Sequence, residues 1–172
     1  MSWWKTALYD TCSLITLDKL LRDRPSLSRR FPKKLLALEV SLSADQMDAD
    51  TAKRLKVIVE LCPLPTPTEL AGLLASVGLS KALADVDKLI FATAVHSKLA
   101  VVTGDKRLAK AIQKRGLEVG NMALILQELV ETKKLRSSAV EKMLQDLADR
   151  KDYLLGIPKP TWHDLKDYTF PD

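Results

Sequence analysis

Three aspartates carry the chemistry this chain is equipped to perform. Asp10 closes the apolar stretch "TALY", Asp105 closes "LAVVTG", and Asp87 lies between them in "DVDKLIFATAVHSK". In an open parallel sheet, ligands bind at the carboxyl ends of strands, so a carboxylate just past a strand stands where chemistry happens. A helical segment follows both Asp10 and Asp105, and the positive end of a helix favours an ionised carboxylate. Both residues also read as helix N-caps, a role that needs no ligand.

Asp87 is the more telling of the three. On a helix it shares one face with Ile90, Phe91 and Ala94, because the spacings are three, four and seven residues. That face is otherwise apolar and is expected to turn inward, where a carboxylate is costly unless a cation or donors satisfy it. Asp85 lies two residues earlier, roughly 200° around the helix at about 100° per residue. The two cannot point at one place, so Asp85 is assigned the cap and Asp87 the site. Interaction with the helix dipole alone is the other reading of Asp87. Converging carboxylates repel one another, and hard oxygen donors suit Mg²⁺ or Mn²⁺ rather than zinc. The cysteines, Cys12 and Cys62, and the histidines, His96 and His163, are too scattered for a Cys/His zinc site.

The elements that must position these residues follow from hydrophobic periodicity. "KTALY" reads as a strand and "SLITLDKLLRD" as a helix ending near Pro25. "KKLLALEVSL" is a strand or the start of a helix. "SADQ", Ser43 to Gln46, has capping-box spacing, with a helix running on towards Leu61. Thr66, Pro67 and Glu69 start the next helix, and Gly78 ends it. A helix over "ADVDKLIFATAVHSK" precedes the strand "LAVVT", whose near-continuous apolar character suggests burial on both faces. "KRLAKAIQKRG" is a helix closed by Gly116, "LEVGNM" a strand, and "ALILQELVETKKL" a helix. Alternating strands and helices predict an α/β fold, a three-layer α/β/α sandwich around a mainly parallel sheet.

Residues 1–135 make up this domain, and residues 136–172 form a C-terminal helix and an extended tail, packed on the domain or on a partner. Ser138 and Glu141 have capping-box spacing, and Val140, Met143, Leu144 and Leu147 form an apolar stripe. The tail from Gly156 contains three prolines and three aromatic residues and reads as a strap. Trp162, His163 and Tyr168 within it suit either packing or stacking on bases. Trp3 and Trp4 are adjacent and would face opposite sides of a strand.

The chain of 172 residues carries a net charge of +5, which suits an anionic partner such as RNA. Lys106, Lys110 and Lys114 recur every four residues and share a helix face directly after Asp105. They form either an RNA-binding stripe beside the acidic site or an ordinary solvated face. "SRRFPKK", Ser28 to Lys34, is a second basic cluster, either flanking the same groove or a loop with no role beyond solubility. No window reaches the roughly twenty apolar residues of a membrane helix, and the N-terminus lacks the apolar run of a signal peptide. A cytoplasmic protein with free thiols and no membrane partner is expected.

"LYDTCSLI" followed by "DKLIFATAVHSKLAVVTGDKRL" resembles the PIN-domain family of metal-dependent ribonucleases, over roughly residues 5 to 130. Members typically have a first-strand Asp followed by Thr or Ser, a central "DxxIxAtA" helix, and an apolar strand ending in "TxD". Asp10 with Thr11, Asp87, and Thr103 with Asp105 occupy those places, in that order. Cys12 stands where Asn or Ser is commoner. The family's further acidic residue, just after the second strand, corresponds to Glu39, although the flanking sequence lacks the usual proline-led strand.

The resemblance implies endonucleolytic hydrolysis of RNA, with a catalytic set of Asp10, Glu39, Asp87 and Asp105. Asp10, Asp87 and Asp105 would hold one or two Mg²⁺ or Mn²⁺ ions, with Thr11 and Thr103 supporting them. It also raises a toxin of a toxin–antitoxin pair, with an antitoxin as regulatory partner, and a homodimer. A degenerate domain that binds RNA or protein without cutting is the alternative. A phosphatase of the haloacid dehalogenase kind is disfavoured, because "DTCSL" lacks the second aspartate of that family's nucleophile loop.

Overall fold

A computed structural model describes residues 2–43, 45–75 and 83–171. Five short strands form one all-parallel sheet: β1 (Leu8–Tyr9), β2 (Leu35–Ala37), β3 (Val59–Leu61), β4 (Val101–Val102) and β5 (Val119–Gly120). Their order across the sheet is β3-β2-β1-β4-β5. The helices are α1 (Thr11–Asp23), α2 (Glu39–Leu42), α3 (Ala49–Ile58), α4 (Pro67–Ala75), α5 (Asp85–Ser97), α6 (Lys106–Gln113), α7 (Met122–Glu131), α8 (Ser137–Asp149) and α9 (Trp162–Lys166). Among the described residues no helix is long and apolar enough to cross a membrane.

The three layers follow from the two-residue period of a strand, which sends successive side chains to opposite faces. Tyr9, Leu35, Ala37, Val59 and Val102 enter one core, with Leu14 and Leu17 of α1, Leu55 of α3, Leu126 of α7 and Leu144 of α8. Leu8, Leu36 and Val101 enter the other, with Ile90, Phe91 and Ala94 of α5 and Leu108 and Ile112 of α6. Both faces of the sheet are covered, which is why the strands read as continuous apolar runs.

Several local expectations meet the structure directly. Thr66 and Glu69 form their reciprocal cap: the Thr66 N–H donates to Glu69 Oε2 at 2.8 Å and the Glu69 N–H to Thr66 Oγ1 at 3.4 Å. "KKLLALEVSL" turns out to be both of its alternatives, β2 and then α2. The proposed helix end at Gly78 lies outside the described residues.

Other expectations are corrected. The helix expected to run from "SADQ" to Leu61 starts at Ala49, where Asp48 accepts from the Thr51 N–H at 2.8 Å. Ser43 instead ends α2, and Ala44 lies outside the described residues. The same helix stops at Ile58, because Val59–Leu61 pairs as a strand beside β2, with Leu35 opposite Val59. α8 begins after Arg136, one residue before Ser138, with no side-chain cap. Glu141 is drawn elsewhere, accepting from the Trp162 N–H at 2.7 Å. The tail is not extended throughout: Thr161 and Asp164 form a capping box that opens α9 and seats the buried Leu165.

Trp3 and Trp4 lie in a 3₁₀ turn rather than a strand. Trp4 is fully buried against Phe31, and its indole N–H donates to Glu128 at 3.1 Å. The Trp3 ring covers Gly120, where an added Cβ would meet it at 2.6 Å. Gly120→Ala is therefore expected to cost about 1–3 kcal/mol. Thermal denaturation reads this as a melting point several degrees lower, and an unchanged value would show that the ring yields freely.

Candidate metal centre

The sheet order reverses between β1 and β4: β2 and β3 lie on one side of β1, and β4 and β5 on the other. A crevice opens at the carboxyl ends of the strands where such an order reverses. Asp10 directly follows β1, and Asp105 follows β4 after Thr103 and Gly104. α5 precedes β4, so its N-terminal turn, carrying Asp87, comes to the same edge. Together with Thr11, Cys12 and Gln46, the three aspartates line one cavity of about 300 Å³.

The cap and site readings of Asp10 and Asp105 prove compatible. Asp10 Oδ1 accepts from the Ser13 N–H at 2.7 Å and so caps α1. Asp105 Oδ1 accepts from the Arg107 and Leu108 N–H groups at 2.7 and 2.9 Å and so caps α6. Thr103 joins the two residues: its hydroxyl donates to Asp10 Oδ2 at 2.5 Å and accepts from the Asp105 N–H at 3.0 Å. The fully buried threonine of the "TGD" motif thus sets one carboxylate against the next.

At the N-terminus of α5 the cap assigned to Asp85 is corrected, while Asp87 does line the cavity. Ala84 is the capping residue, and Asp85 is the exposed first helical residue, paired with Lys88 at 2.9 Å. The Asp87 carboxylate reaches back to accept from the Ala84 N–H. Ile90, Phe91 and Ala94 are buried on the same face, as the spacing requires.

The electrostatics are those of crowded acids. Asp87 is pushed up to about 6, first by burial and then by Asp105 and Asp10. Burial raises Asp10, against the hydrogen bonds from Thr103 and Ser13 that favour its charge. The Cys12 thiol is pushed up to about 11 by burial, then by Asp10, Asp87, Asp152 and Asp105.

These residues fit a hard divalent cation by donor chemistry. Three carboxylates from remote segments line one cavity, and Asp10 and Asp105 raise the cost of charging Asp87. The Thr11 hydroxyl adds an oxygen donor: it is buried in the wall of the same cavity, with no hydrogen-bond partner among the described residues. Among the described residues, no three His, Cys, Asp or Glu side chains already stand at ligating distance of one point. Asp10 and Asp105 are held instead by the helix ends they cap.

Glu39 does not join this group. It is the exposed first residue of α2, past β2, and lines a separate cavity with Lys56, Val59 and Leu61. The basic cluster Ser28–Lys34 precedes β2 and so lies at the amino edge of the sheet, opposite the acidic cavity. Of the two readings of this cluster, strand direction disfavours a place beside the groove and leaves the solubilising loop. Lys106, Lys110 and Lys114 are all exposed on or just beyond α6. At about 1.5 Å per residue they lead away from the site, Lys114 about 12 Å along the axis from Lys106.

Gln46, read in sequence only as part of a capping box, and Asp152, which no motif marked, stand near the acids. Gln46 accepts from the Cys12 thiol at 3.6 Å, and Asp152, just past α8, is held against α1 by Thr16 and Lys19. Fold and site together define an α/β sandwich with an acidic crevice where its strand order reverses. No family model matches the chain, and no curated protein matches it.

Proposed function

We propose that the chain is a PIN-type, Mg²⁺- or Mn²⁺-dependent endoribonuclease. The observation that carries this reading is the convergence of Asp10, Asp87 and Asp105 in one cavity at the point of strand reversal. A divalent cation bound there would activate water and neutralise charge on the phosphoryl oxygens. Asp10 would be held for this task by Thr103 and Ser13, Asp105 by the first turn of α6, and Asp87 by the Ala84 N–H. In the reaction the water oxygen bonds to phosphorus and the P–O3′ bond breaks, leaving a 3′-hydroxyl and a 5′-phosphate. Lys106 and the lysines beyond it would draw the RNA backbone towards the acidic mouth. A toxin restrained by an antitoxin, a homodimer and a cytoplasmic location belong to this same reading.

Single-stranded RNA incubated with the protein and Mn²⁺ is expected to be cut internally, and EDTA is expected to stop it. Cutting that persists in EDTA would reject metal dependence. A second reading, an RNA- or protein-binding module that does not cut, is favoured by the position of Glu39 outside the acidic cavity. Calorimetry with Mn²⁺ separates the two, because the nuclease must bind the ion and a scaffold need not.

A further inference from the structure

A second cavity, of about 340 Å³, opens beside the acidic one. Cys12 lines both. Asp105 lines the first, and the next residue, Lys106, lines the second. Asn121, just past β5, contributes from the sheet edge, and the far wall comes from the C-terminal segment, with Asp152, Tyr153 and Tyr168. The four carboxylates felt by the Cys12 thiol, Asp152 among them, agree with this adjacency.

We propose that this second cavity is a nucleobase pocket, formed by the C-terminal segment, that seats a base next to the phosphate held at the acidic site. The position of that phosphate rests on the nuclease reading; the chemistry of the pocket does not. A few fixed polar groups among apolar walls are what a small-ligand site requires. The Asn121 amide donates to the Tyr168 hydroxyl at 2.8 Å and so sets that ring in place. The Tyr153 side chain is about half exposed (48%), leaving its ring open to stacking.

Asp152 gives the pocket its preference. Thr16 Oγ1 and Lys19 Nζ both donate to its Oδ2, at 2.9 and 2.7 Å, and these bonds anchor the carboxylate. Among the described residues no hydrogen bond falls on Oδ1, which can therefore accept from a base amino group. Guanine, adenine and cytosine carry such a group and uracil does not. Lys106, where the two cavities meet, is placed to contact the phosphate that joins base to scissile bond.

The test uses full-length protein carrying Asp87→Asn, so that bound RNA is not cut. Binding of short fluorescein-labelled oligoribonucleotides is followed by anisotropy. Adding Tyr153→Ala is expected to weaken binding about 5- to 150-fold, the equivalent of one stacked base, and Tyr153→Phe should restore it. Adding Asp152→Asn should weaken binding of oligoadenylate more than of oligouridylate, whose base offers only a ring N3–H, with melting temperature as the check on folding. Binding unchanged by Tyr153→Ala overturns the pocket even if the wild-type protein cuts RNA. Loss of binding in a protein that proves unable to cut RNA keeps the pocket and rejects the nuclease.

Discussion

Asp87→Asn is expected to lose cation-dependent RNA cleavage by about 10²-fold or more, and to melt at a higher temperature than the wild type in EDTA at pH 7. Both effects have one cause. The wild-type cavity gathers three carboxylates, and Asp87 is pushed up to about 6 by burial, Asp105 and Asp10. Its folded pKa lies above its ordinary value, so between roughly pH 4 and 6 the folded state holds more proton than the unfolded chain. Stability therefore falls as pH rises through that window and stays reduced above it.

Asparagine carries no charge and escapes this penalty. The gap in melting temperature between variant and wild type should open from pH 4 to pH 6 and then level off. Asp10, also raised, leaves a similar slope in both proteins. Added Mn²⁺ should raise the wild-type melting point and close the gap, since an ion bound only to the folded state at a hundred times its Kd stabilises by about 2.7 kcal/mol. Equal RNA cleavage by both proteins would sink the nuclease, and parallel melting curves from pH 4 to 7 would sink the electrostatic account.

A chain ending at residue 136 is expected not to fold. The sequence separates residues 1–135 from a C-terminal helix and tail, yet the segment after the boundary completes the larger core. Val140, Met143, Leu144, Leu147 and Leu165 are each no more than 3% exposed. They pack in one cluster with Leu14, Leu17 and Leu20 of α1 and Leu126 and Leu129 of α7.

Reducing one buried Leu or Met to alanine typically costs about 2–5 kcal/mol. Removing all five, with the helices that carry them, exceeds the roughly 5–15 kcal/mol that holds a domain together. Polar links cross the same seam: Arg24 to Asp146 at 2.5 Å, Lys19 to Asp152 at 2.7 Å and Arg150 to Asp23 at 2.6 Å. Circular dichroism of the truncated chain should show no cooperative melt; a sharp transition would mean that residues 2–136 hold a core of their own.

Features set within a few residues were legible in the sequence. The caps at Asp10 and Asp105, the reciprocal pair Thr66 and Glu69, the inward face of Asp87 and the stripe from Val140 to Leu147 each depend on helix period or on one hydrogen bond to a near neighbour. Such bonds need only a near neighbour, and they fail where a distant partner competes, as the Trp162 N–H does for Glu141. β3 was not legible, because Val59–Leu61 becomes a strand only beside β2. Nor was the position of Glu39, which spacing placed after a strand without saying which cavity it would line.

The site itself divides along the same line. Sequence determined that three acids stand at element ends suited to ligands, and that one of them must face inward. Only the tertiary structure decided that they meet. Strand order is set by which apolar faces bury one another across dozens of residues, and that order puts β1 beside β4 with α5 opening over both.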